Sequence, residues 1–185
     1  MSRFQVKDLP LGGLKLVQFQ PSEDPRGSLT RMFCSANLRP FWPEPIRQIN
    51  QTTTRLGGTI RGLHFQRPPH AEKKLVSCLR GEVWDVAVDL RAGSPTFLQW
   101  HAECLSAVNR RGMMIPEGFA HGFQTLTPDV EMLYFHSAAY CPDAEGGIRP
   151  LDPRLGIPWP RVISSISERD KAHALLDPGF AGMRL

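Results

Sequence analysis

Long apolar runs, paired cysteines, blocks of like charge and helical periodicity are all scarce in this chain. No apolar stretch reaches the 18 residues of a transmembrane helix, and the N-terminal MSRFQVKDLPLGGLKLV has no signal-peptide apolar region. Cys34, Cys78, Cys104 and Cys141 lie far apart with no C-x-x-C spacing, which argues against a zinc knuckle or a redox pair and for four free thiols in a reducing cytosol. The expectation is a soluble, cytoplasmic protein. The net charge of +4 and pI near 9.1 come from dispersed Lys and Arg, so no nucleic-acid or membrane-binding tail is indicated. A small anionic ligand accounts for that charge more economically. There is no internal repeat and no low-complexity segment.

What is abundant is punctuation. Seventeen prolines and 16 glycines separate aromatic and β-branched clusters along 185 residues, the pattern of one all-β domain of short strands joined by turns. Strands are predicted at 14–20, 29–34, 46–53, 59–66, 74–79, 82–90, 96–105, 112–116, 121–127 and 130–137, and a helical period emerges only in SERDKAHALL. The Pro- and Gly-rich segment from about 138 to 166 predicts an irregular excursion, functional or packed over another surface. In EVWDVAVDL, Trp84, Val86, Val88 and Leu90 form one apolar face; Val83, Asp85, Ala87 and Asp89 form the other, which either lines a cavity or meets solvent.

Two stretches carry candidate chemistry. IRGLHFQRPPHAEKKL gathers Arg61, His64, His70, Lys73 and Lys74, and IPEGFAHGF places Pro116, Gly118 and His121 in a P-x-G-x-x-H arrangement. That spacing resembles the second signature of the cupins, small double-stranded β-helix jelly rolls. Metal-binding cupins add an upstream H-x-H, but here the place reads His64-Phe65-Gln66. Gln is a poor ligand beside His or a carboxylate, so no metal and no cofactor is expected. A metal-dependent cupin enzyme would instead need His64, His121 and a carboxylate such as Glu82 on one ion.

Taken together, RGLHFQ, KLV, GEVWDVAVDLR, SPTF, IPEGFAHGF and SERD resemble the dTDP-4-dehydrorhamnose 3,5-epimerase family over about Leu14 to Leu176. The resemblance implies a cupin-like jelly roll, its core about 46–137, with an N-terminal hairpin extension and a short C-terminal helical segment. It implies a homodimer with exchanged N-terminal strands, acting on a nucleotide-diphosphate sugar. His64 would be the base that takes a proton beside the sugar ketone, Asp170 its dyad partner, Lys74 the cation beside the enolate oxygen and Tyr134 the acid on the far face. Arg61 would face the diphosphate, Tyr140 the nucleotide base, and Arg26 the neighbouring subunit's site. Arg31, Gln48, Asn50, His121, Glu145 and Arg169 fall on substrate-contact positions.

The chain departs from the family at Arg31, where Glu is frequent, at Arg169, where Lys is, and at Pro150-Leu151, where an aromatic and a polar residue are. These departures leave open whether C3, C5 or both are inverted and which nucleotide sugar is used. A non-catalytic sugar-nucleotide binding module is a further alternative. On a regular strand Arg61 and His64 would face opposite sides, a conflict that a bulge at Gly62 or a strand end at Arg61 would remove.

Overall fold

The computed structural model describes residues 3–185. The strands, in chain order, are β1 (Phe4–Asp8), β2 (Lys15–Phe19), β3 (Ser22–Asp24), β4 (Gly27–Leu29), β5 (Gln48–Thr54), β6 (Thr59–Gln66), β7 (Lys74–Arg80), β8 (Glu82–Asp89), β9 (Trp100–Ser106), β10 (Arg111–Ile115), β11 (Phe119–Thr125), β12 (Val130–His136), β13 (Glu145–Gly147) and β14 (Ser165–Ile166). Two short helices, α1 (Ser35–Leu38) and α2 (Glu168–Ala172), complete the regular structure together with a 3₁₀ turn at Pro142–Ala144. No helix among the described residues is long and apolar enough to cross a membrane.

One sheet runs β1-β2-β10-β7-β12-β5 and the other β13-β6-β11-β8-β9, with β14 added parallel to β6. This is a cupin-like jelly roll. Val76, Met113 and Met132 from the first sheet meet Val83, Ala87 and Phe123 from the second in the core between them. Alternation along β8 therefore places its odd face inside, and Asp85 and Asp89 are both fully buried rather than solvated. Asp89 sits at the strand end, where Arg91, Ser94 and Thr96 all donate to it. Burial opposes its ionisation, but these donors win and bring the carboxyl to about 2.

The outer faces are covered too. Ile148, Leu155, Ile157 and Trp159 of the Pro-rich excursion pack on Trp84, Val86, Val88 and Leu90, the even face of β8. On the other sheet, Leu38, Trp42, Met32 and Phe33 pack on Val17, Leu75 and Phe135. That covering explains one departure from expectation: the strand predicted at 29–34 stops at Leu29, and Met32, Phe33 and Cys34 instead dock side by side on the first sheet.

Other departures have similar tertiary causes. The strand expected from 96 begins at Trp100, because Ser94 and Thr96 are held by Asp89 and Leu98 turns through a φ of 60°. β1, β13 and β14 were not expected; each pairs along another strand, β1 with β2, and β13 and β14 with β6. The helix in SERDKAHALL is confined to Glu168–Ala172. β1 and β2 join the chain's own sheet through β10, and the hairpin β3–β4 forms a separate two-stranded sheet.

Candidate active site

The two sheets enclose an open cavity of about 470 Å³, within the range of small-ligand pockets. His64, Asp170, Tyr134, Lys74, Arg61, His121, Gln48, Asn50, Tyr140, Glu145 and Arg169 all line it. Arg26 and Arg31 do not. Both are exposed, and Arg26 projects from the β3–β4 turn with its guanidinium on Asp24.

Gly62 resolves the conflict between Arg61 and His64. It adopts a φ of 118°, and the β6–β11 register shifts between His121 and Phe123, opposite this point. This is a bulge that re-aims the strand, so both side chains reach one cavity. Only glycine fits there, since a Cβ would stand 2.6 Å from the Gly122 Cα and 2.7 Å from the His121 carbonyl oxygen. Arg61 is then steadied by the Thr54 hydroxyl at 2.9 Å.

Asp170 reaches His64 through β14. That strand pairs Ser165 with Thr59 in parallel, and both chains advance five residues from this pair, to Asp170 and His64. Ser167 caps α2 by accepting from the Asp170 backbone N–H at 3.1 Å, which starts the helix where Asp170 faces β6. The Asp170 carboxylate accepts from His64 Nε2 at 2.7 Å and from the Gly62 N–H at 3.2 Å. Burial raises the Asp170 carboxyl, but His64 and the Gly62 and Ser167 donors outweigh it and hold it below its ordinary value. An ionised carboxylate fixes the proton on Nε2, which leaves Nδ1 with the free lone pair.

The opposite wall comes from the other sheet. Tyr134, on β12, is buried with its ring 6.1 Å from that of His121 and stacked 6.1 Å from that of His136. Burial pushes its phenol well above the ordinary value, so it is protonated and able to donate. Lys74 is buried beside Glu72 at 3.1 Å, and Glu72 also accepts from His136 Nδ1 at 2.7 Å. Desolvation raises the Glu72 carboxyl, yet the His136 hydrogen bond and the Lys74 charge bring it below normal, so an ionised carboxylate stands beside Lys74 Nζ in the cavity wall. His121 donates to Asp85 at 2.8 Å, giving the buried Asp85 the polar partner its position on β8 demands.

At the mouth, Tyr140 donates to Glu145 at 2.8 Å, and its backbone N–H donates to Gln48 at 2.9 Å. Arg169 pairs with the same Glu145, and Gln48 donates to Asn50 at 3.1 Å. Tyr140 is 51% exposed and so is not packed in a core.

The metal set His64, His121 and Glu82 is not assembled. Glu82 lies on the other face of β8 from Asp85 and accepts from the Cys104 thiol at 2.8 Å. Gln66 is likewise committed, its amide donating to the His70 and Ala139 carbonyls and accepting from the Cys141 N–H. It stitches two loops to β6, which gives this position a structural use. Glu72 and His136, which line the cavity, were missed by sequence reasoning. Same-face spacing signalled both: Glu72 stands two residues from Lys74, and His136 two from Tyr134.

On this cupin-like jelly roll, one cavity thus holds the hydrogen-bonded His64–Asp170 pair, with His64 on one sheet, and the buried phenol of Tyr134 on the other sheet. The profile of the dTDP-4-dehydrorhamnose 3,5-epimerases matches residues 8–177. The chain belongs to that family of isomerases. It is 52% identical to the dTDP-4-dehydrorhamnose 3,5-epimerase of Salmonella typhimurium over 119 residues, a stretch spanning 64% of this chain and 65% of that one. It is 37% identical to the dTDP-4-dehydrorhamnose 3-epimerase of Streptomyces niveus over 174 residues, 93% of this chain and 84% of that one. Among solved structures, dTDP-4-dehydrorhamnose 3,5-epimerase from Bacillus anthracis, crystallised with TDP and pyrophosphate, superposes with a TM-score of 0.89 at 39% identity, covering 94% of this chain and 99% of that one.

Proposed function

We propose that this chain inverts C3 and C5 of a nucleotide-linked 4-keto-6-deoxy sugar, converting dTDP-4-dehydro-6-deoxy-D-glucose to dTDP-4-dehydro-L-rhamnose without metal or cofactor. The observation that carries the reading is the placement of His64 and Tyr134 on opposite sheets across one cavity. Inversion requires a proton to leave one face of the ring and another to arrive at the opposite face, so acid and base must flank the sugar. His64 Nδ1 takes the proton next to the ketone, and the electron pair moves to the ketone oxygen. Asp170 stabilises the imidazolium, and Lys74 stabilises the enolate in a water-poor cavity. Tyr134 then protonates carbon from the far side, and solvent returns both groups to their starting protonation. The ketone already acidifies both neighbouring carbons, so nothing further is needed to start the reaction.

The mouth cluster suits the nucleotide. Tyr140 offers a face to the base and Arg61 a cation to the diphosphate, with Gln48, Asn50, His121, Glu145 and Arg169 as further contacts. A C3-only reaction is the second reading, favoured by the 37% identity to a relative named as a 3-epimerase. Incubating the protein with dTDP-4-keto-6-deoxyglucose in heavy water, with other nucleotide 4-keto sugars in parallel, tests both by magnetic resonance. Deuterium at C3 and C5 with inversion supports the first reading, deuterium at C3 alone supports the second, and none at either carbon overturns both.

The protein is further proposed to work in the cytoplasm as a homodimer in which Arg26, from the β3–β4 hairpin, serves the partner's cavity. Mixing Arg26→Ala chains with His64→Ala chains tests this: exchange restores one complete site per mixed dimer, so activity recovers on mixing. Unchanged activity after demonstrated chain exchange places Arg26 outside the reaction.

A further inference from the structure

His173 is an imidazole beside His64 that the proposed reaction leaves without a task. It follows α2 directly, and its ring lies flat in the space over Gly147 of β13, where a Cβ would overlap it. The ring stands 5.9 Å from that of His64 at 73°. Its Nε2 is buried and makes no hydrogen bond, and it lies 3.9 Å from Asp170 Oδ1, too far to donate. An unpaired buried nitrogen so near a carboxylate that already holds a second imidazole calls for a shared partner.

The geometry points to a zinc-class transition-metal site formed by His64, Asp170 and His173, at which a bound ion switches the base off. One ligand atom from each residue lies within 4.8 Å of the others. Two imidazole nitrogens and a carboxylate oxygen are a zinc donor set, and three protein ligands leave a fourth position for water. Metal–ligand bonds of roughly 2.0–2.1 Å in a tetrahedron put donor atoms about 3.3–3.4 Å apart. The His64–Asp170 contact would therefore open from 2.7 Å and the His173–Asp170 contact close from 3.9 Å, shifts that side-chain rotation supplies.

The consequence follows from proton positions. In the metal-free site the Nε2 proton of His64 is donated to Asp170, and Nδ1 carries the lone pair that accepts a proton. A metal on Nε2 displaces that proton, and the neutral ring must then carry its hydrogen on Nδ1. No acceptor faces the sugar. The ion is thus an inhibitor of a metal-independent reaction. Its binding rests on the three side chains alone; only its effect on turnover rests on the functional reading above.

The test uses the whole chain freed of metal by chelator. Zinc chloride titrated calorimetrically should bind at one ion per chain in the micromolar range. Cobalt(II) should give the visible absorption of a tetrahedral N/O site, and turnover should fall with occupancy and return on adding chelator. His173→Gln, with His173→Ala as a second variant, should keep turnover within a few-fold. Both should weaken zinc by more than the roughly 10- to 100-fold that losing a mere supporting hydrogen bond costs. Circular dichroism and melting confirm that each variant is folded. Absence of zinc binding, or binding unchanged in both folded variants, overturns the proposal. Because calorimetry and the cobalt spectrum need no turnover, zinc binding by a chain that fails to epimerise would sink the functional reading and not the site.

Discussion

His64 Nε2 and Asp170 Oδ1 stand 2.7 Å apart across 106 residues of sequence, brought together by a two-residue parallel strand and a one-turn helix. An ionised Asp170 holding the Nε2 proton leaves Nδ1 with the free lone pair, the nitrogen that the proposed reaction uses. His64→Asn should lower turnover by several orders of magnitude and change substrate binding only a few-fold, because the base acts on the transition state. Asp170→Asn should be damaging but less so. Single-turnover kinetics with an independent binding isotherm separates the two effects; lost binding with unaltered turnover of bound sugar would make His64 a contact residue.

Tyr134→Phe should divide exchange from inversion. His64 still removes a proton and can return one from solvent to the same face, so deuterium enters with configuration retained. Far-face protonation should slow by roughly 10²- to 10⁴-fold, the usual contribution of a positioned acid. Carbon-by-carbon magnetic resonance of the recovered sugar reads both rates. Inversion as fast as in the parent would assign that proton to another donor.

Chelator should leave turnover intact. Gln66 spends its amide on the His70 and Ala139 carbonyls and the Cys141 N–H, and Glu82 is turned away from the cavity, so the metallo-cupin ligand set is missing. Elemental analysis alongside the assay checks this. Loss of activity on metal removal, with recovery on its return, would favour the metal-dependent alternative.

Gly62→Ala should lower stability by more than about 1 kcal/mol, since φ is 118° and the added Cβ meets backbone that cannot swing aside. Turnover should fall as well, because the same bulge sets His64 against Asp170. Urea unfolding monitored by tryptophan fluorescence provides the comparison, and a midpoint equal to the parent's would refute the strain argument.

Acid should weaken the fold partly through Asp170. Its folded carboxyl is held below the ordinary value, so its contribution is complete above the unfolded value of about 3.9 and is lost as pH falls through the lower folded one. Asp170→Asn should therefore be less stable than the parent at pH 7, with the gap narrowing towards pH 2. Thermal melts across that range would show it, and a gap independent of pH would exclude the linkage.

Much of the fold was legible because a sheet's alternation is local. The β6, β7, β8, β11 and β12 segments, and the apolar faces of β8, could be read from period-two patterns and turn residues. Six motif blocks in order likewise pointed to the family and to the residues that line the cavity. Beyond local pattern the sequence was silent. Whether the odd face of β8 met solvent or core depended on what the other sheet placed opposite it, which is why Asp85 had no visible partner until His121 was folded beside it. Arg61 and His64 contradicted each other as a strand and agree only because Gly62 meets Gly122 closely enough to require a bulge. His173 had no signal at all: its position beside His64 depends on β14 pairing with β6 and on an absent Cβ at Gly147, contacts between segments far apart in sequence. Local pattern is written in neighbouring residues, whereas the meeting of a histidine, a carboxylate and a second histidine is decided by packing.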